Sequence, residues 1–106
     1  TPPGYVHGWQ AYVCLFRPES PTLANVDAQK RRRDDIMVRL EGQGIATRQG
    51  THAPPFVGYY AKKYGFRPGD FPGAVLAEKL SIALPLYPQM TDAEQDAVCA
   101  ALEAAL

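Results

Sequence analysis

The stretch 44–60, GIATRQGTHAPPFVGYY, constrains this chain more than any other. A helix must stop at its first glycine, a short β-prone run follows, and a polar loop then closes on Pro54-Pro55 and the pair Tyr59-Tyr60. Arg48, Thr51 and His52 share that loop. A guanidinium fork grips carboxylates or phosphates, an imidazole moves protons near neutral pH, and Thr and Gly leave backbone groups accessible. Loops on a rigid scaffold carry much binding chemistry, so a functional site is expected here first. The plainer reading is a structured surface turn with a satisfied histidine.

The rest of the chain reads as elements around this loop. Residues 5–16, YVHGWQAYVCLF, read as a strand ended by Arg17-Pro18. Both of its faces become apolar towards Phe16, which predicts a central strand covered on both sides. Gln10 stands out there, either at the wet end of the strand or as an amide aimed into a cleft. Residues 17–26 are a loop. Asp27 is placed to cap a helix over 28–41, with Ile36, Met37 and Leu40 as its apolar stripe and Gly42 or Gly44 as its stop. The run Lys30 to Arg33 in its first turns reads as a solvated face, offset by Asp34 and Asp35.

Residues 45–47 predict a short strand, and 56–64 a short helix ended by Gly65. Pro68-Gly69 signals a type II turn, with Asp70 capping the next helix and Pro72 in its first turn. Val75, Leu76, Ala77 and Leu80 are that helix's buried side. Residues 81–84 extend ahead of Pro85. Thr91 to Glu94, TDAE, is a complete capping box, and Val98, Ala101, Leu102, Ala105 and Leu106 make the last helix amphipathic.

This order predicts an α+β fold: one small two-layer domain with a sheet of three or four strands and helices mainly on one face. One face or edge of so small a sheet is expected to pack on something outside this chain. Eleven basic residues balance eleven acidic ones, which gives no footprint for nucleic acid or a membrane surface. Cys14 and Cys99 form no metal spacing with His7 or His52; they read as buried reduced thiols and fit a cytoplasmic location. The opening Pro2-Pro3-Gly4 reads as a linker entering a domain, so the chain is expected to be a piece of a longer protein.

Four stretches, PGYVHGWQAYV, RRRDDIMVRLEGQGIATRQGTHA, YYAKKYGFRPGDFPGA and LPLYPQMTDAEQDAV, resemble in order the C-terminal small domain of the DegT-type sugar-nucleotide aminotransferases. Gln10 and the GTHA loop are further similar to the perosamine synthase-like branch. Pro54-Pro55 departs from the Val-His pair often found at that place. The resemblance implies the C-terminal domain of the type I aminotransferase fold, within a homodimeric enzyme. That enzyme moves an amino group from an amino acid, with glutamate the expected donor, to a keto-sugar nucleotide, using pyridoxal phosphate.

In the family a lysine of the large domain carries that cofactor. Lys30, Lys62, Lys63 and Lys79 match none of its motifs, so this chain alone is expected neither to bind the cofactor nor to transaminate. It is expected to wall the substrate side of the cleft, with Arg48, His52, Gln10 and Thr51 as substrate contacts and to self-associate when isolated. The alternatives are a non-enzymatic α+β interaction module or a nucleotide-sugar-binding module.

Overall fold

The computed structural model describes all 106 residues. Three short strands form one antiparallel sheet in the order β1-β3-β2, with β1 at Tyr12–Leu15, β2 at Arg48–Gln49 and β3 at Ser81–Leu84. Helix α1 spans Val26–Glu41, α2 Gly58–Tyr64, α3 Pro72–Leu80 and α4 Asp92–Ala105. α1 packs against both α3 and α4, and α3 also meets β2 and β3. Phe16, Ile36, Leu40, Ile82, Ala101 and Ala105 make the core, so the sheet is sealed by α1 and α4. This is the small α+β domain the sequence predicts. No helix is long and apolar enough to cross a membrane.

β3, not the first strand, is central. β1 is an edge strand four residues long, and Tyr12, Val13 and Leu15 stay about half exposed. Two things shorten it. Pro85 ends its partner just past Leu84, and Tyr12 pairs with Leu84. Before it, Trp9 takes a positive φ of 42°, its N–H held by His7 Nδ1 at 2.8 Å, which turns the chain off the strand axis.

The second strand is displaced as well. Gly44 adopts the left-handed conformation (φ 77°), and Ile45 N–H bonds back to Leu40 O at 3.0 Å. Residues 45–47 finish the helix stop, and pairing begins only at Arg48, opposite Ala83.

The buried stripe of α1 runs Val26, Gln29, Arg33, Ile36, Leu40, a strict alternation of three and four residues. Its polar members correct the reading of a solvated basic run. Lys30 pairs with Asp34 at the surface, but Arg33 is 2% exposed and donates to Ser81 O at 2.8 Å. Two buried polar atoms are left without a hydrogen bond, Gln29 Oε1 and Arg33 Nε, although the latter sits 2.8 Å from Asp34 Oδ1 in an ion pair.

Asp27 does not cap α1. Asn25 holds the N-cap position, and Asp27 pairs with Lys79 across to α3. Asp70 likewise does not cap α3. Its carboxylate takes Arg67 N–H at 2.7 Å and closes a 3-10 turn at Pro68–Asp70 in place of the type II turn. Thr91 and Glu94 form the full capping box, and Gly65 ends α2 with φ 67°. Cys99 is exposed and Cys14 half-buried; both thiols are free. Leu106 is exposed at the end of α4.

Candidate functional site

The 48–52 loop is fastened from below by β3. Ser81 is buried, and its Oγ accepts Thr51 N–H at 3.1 Å while its carbonyl accepts Gly50 N–H at 3.4 Å. Arg33 donates to the same carbonyl, so a helix, the central strand and the loop meet at one residue. Gly50 lets them meet: a Cβ there would run into Val13 Cγ1 and come within 2.9 Å of Ser81 Cβ. Beyond the loop, Ala53 is buried and its carbonyl accepts Phe56 N–H at 3.0 Å, which anchors the chain where it enters the Pro54–Phe56 turn.

On this base the polar side chains face outwards. Arg48 is exposed and has no ion pair or side-chain hydrogen bond, leaving its guanidinium free for an anion. His52 is 79% exposed. Its Nδ1 lies 3.2 Å from Gln49 Nε2 and 3.9 Å from Glu78 Oε1 on α3. Gln49 Nε2 also donates to Thr51 O at 2.8 Å, and Thr51 Oγ1 reaches His52 O at 3.4 Å. The loop can bind and orient an oxyanion or a carbonyl oxygen.

The structure therefore brings Arg48, Thr51 and His52 together. Gln10 is not among them. It sits exposed at a bend before β1, with β3 between β1 and β2, and no hydrogen bond joins it to the loop. Ser81, Gly50 and Arg33, which hold the loop, escaped the sequence reading. Only the alternating spacing that carries Gln29 and Arg33 into line with Ile36 and Leu40 signals one of them. Tyr59 and Tyr60, which follow the loop, touch edge to face at 5.2 Å yet remain exposed. A concavity of about 460 Å³ lies apart from the loop, lined by Trp9, Tyr12, Leu84, Leu86 and Met90 among others.

Comparison with known proteins bears on the family and the fold. The DegT/DnrJ/EryC1/StrS aminotransferase family matches residues 19–103. The spore coat polysaccharide biosynthesis protein SpsC of Bacillus subtilis is 43% identical over 96 residues, which are 91% of this chain and 23% of SpsC. The uncharacterised protein MJ1066 of Methanocaldococcus jannaschii is 36% identical over 89 residues, 81% of this chain and 20% of that protein. In fold, the chain is similar to Spr1654 of Streptococcus pneumoniae, described as a sugar aminotransferase and solved in PMP and apo forms. The TM-score is 0.71 at 23% identity, over 90% of this chain and 21% of that one. The chain thus spans between a fifth and a quarter of the length of these relatives, and it belongs to the DegT/DnrJ/EryC1/StrS aminotransferase family.

Proposed function

We propose that this chain is the C-terminal small domain of a homodimeric, cytoplasmic, pyridoxal phosphate-dependent enzyme that transfers an amino group, from glutamate, to a keto-sugar nucleotide. The observation that carries the reading is the free Arg48 guanidinium beside His52, on a loop clamped to β3, in a chain of this family. Arg48 holds a phosphate of the nucleotide or the carboxylate of the donor, and His52 bonds a sugar oxygen. Thr51 shapes the loop between them, and Gln10 comes to the substrate from the β1 side.

The cofactor supplies the electron sink for the transfer. This chain's own residues do not fit the task of holding it. Lys30 is paired with Asp34 and Lys79 with Asp27, Lys63 lies over the Tyr59 and Tyr64 rings, and Lys62 is exposed. No buried lysine is offered to an aldehyde, so no step is routed through the cofactor here. The part assigned to these residues is binding and orienting the acceptor sugar.

The test uses the full-length protein. It is expected to purify with the pyridoxal phosphate chromophore and to lose that colour on adding glutamate. Arg48→Gln and His52→Gln should each raise KM for the keto-sugar nucleotide about 10- to 100-fold, the loss of a charge-assisted or well-aligned hydrogen bond, with bound cofactor unchanged. A full-length protein without the chromophore, or variants with unaltered KM, would overturn the reading.

A further inference from the structure

Gln49 stands behind His52 with an orientation the geometry leaves no choice about. The side-chain atom 2.8 Å from Thr51 O has to be a donor, because a carbonyl only accepts; it is the amide nitrogen. That nitrogen carries a second hydrogen and lies 3.2 Å from His52 Nδ1. The hydrogen needs a lone pair on Nδ1, so neutral His52 carries its proton on Nε2.

We infer that Gln49 is a positioning residue that sets the tautomer of His52. Through it the loop presents the imidazole as a hydrogen-bond donor, beside the guanidinium of Arg48. The inference rests on the proposed role of this loop in binding a keto-sugar nucleotide and deepens it: the ligand atoms selected here are oxygen acceptors, a phosphate, carbonyl or carboxylate, and not hydroxyl hydrogens seeking a lone pair. A second consequence follows on protonation. Nδ1–H then faces the amide hydrogens of Gln49, and the acceptor within reach is Glu78 Oε1, 3.9 Å away. The ring exchanges Gln49 for Glu78. Glu78 faces it from α3 and Arg48 lies on its own loop, while the neighbouring Lys79 is tied to Asp27.

The experiment is nitrogen NMR on the full-length protein labelled at histidine, without substrate, so that its result does not depend on the sugar reading. His52→Gln identifies the signals by their loss. In the parent protein neutral His52 should be the Nε2–H tautomer. Gln49→Glu places an acceptor against Nδ1 and should invert the tautomer. Gln49→Met, which keeps the bulk of the side chain, should shift the tautomer ratio about fivefold, the equivalent of one ordinary hydrogen bond. Glu78→Gln should leave the tautomer of the neutral ring alone. Should Gln49→Glu disturb the loop, Gln49→Met still decides the matter. A tautomer ratio indifferent to residue 49 overturns the inference whatever the enzyme's substrate proves to be.

Discussion

Gly50 is the point of closest approach between the loop and the sheet, and its backbone there is not left-handed, so space alone requires glycine. Gly50→Ala should cost about 1–3 kcal/mol, since Ser81 is buried on the central strand and has nowhere to go, even if half-exposed Val13 turns aside. Gly58, at the start of α2 with nothing within 4 Å of a Cβ, is the matched control: Gly58→Ala should be neutral or stabilise by up to about 1 kcal/mol. Unfolding midpoints of the two variants, with amide exchange at Thr51 as a local readout, check both. Arg33 offers a second case. Its carbonyl partner on Ser81 also takes Gly50 N–H, and its ion-pair partner Asp34 is also held by Lys30. Arg33→Met should therefore change stability by no more than about 1 kcal/mol, whereas Arg33→Ala, which leaves a cavity, should lose about 2–3 kcal/mol. Arg48, Thr51 and His52 were legible in the sequence because their chemistry is local to one loop. The residues that hold that loop were not, since Ser81 and Arg33 act across 30 and 48 positions.

Among the elements, α4 was the most legible, because a capping box is satisfied by four consecutive residues. That box also makes a pH prediction. Thr91 N–H and hydroxyl, with a smaller contribution from Tyr87, hold the Glu94 carboxyl below the usual glutamate range. A pKa lowered by folding adds stability above the ordinary glutamate range and loses it as pH falls through the folded value. The first turn of α4 should thus fray on acidification, seen as faster amide exchange at Glu94 and Gln95, and Glu94→Gln should abolish the pH dependence. Asp27, lowered by its bond to Lys79, loses the α1–α3 clamp in the same direction. The strands were less legible because their lengths are set by partners. β1 could not be bounded from its own aromatic run, since Pro85, just past the end of β3, limits it. Of the stripe on α1 only Ile36 and Leu40 were seen, because burial of Arg33 depends on the Ser81 carbonyl that β3 offers it.

The molecule as a whole is open. Only 14 of 106 residues are buried, and the radius of gyration is 16.0 Å where a compact domain of this length has about 13 Å. Part of the excess surface lies along one edge. Tyr5, Val6, Trp9, Tyr12, Val13 and Leu15 are all exposed, Val6 to 97%, and they run along and ahead of an edge strand whose outer backbone groups have no partner. An apolar, unpaired edge is what another chain adds to most readily, and nothing on β1 opposes it: no lysine, no proline, no bulge. The relatives are between four and five times longer than the part this chain matches, so there is abundant chain to cover that edge in a full-length protein. Expressed alone, the chain should therefore associate as its concentration rises, through β1. Light scattering over a concentration series tests this, and Leu15→Lys, which places a charge on the exposed strand without touching the core cluster, should move the chain towards monomer. In the full-length protein the same substitution should do the opposite of help. If the edge is covered there, a lysine at position 15 is forced against another surface, and that protein should lose thermal stability. A chain that stays monomeric at high concentration, paired with a full-length protein indifferent to Leu15→Lys, would mean that this edge meets nothing at all.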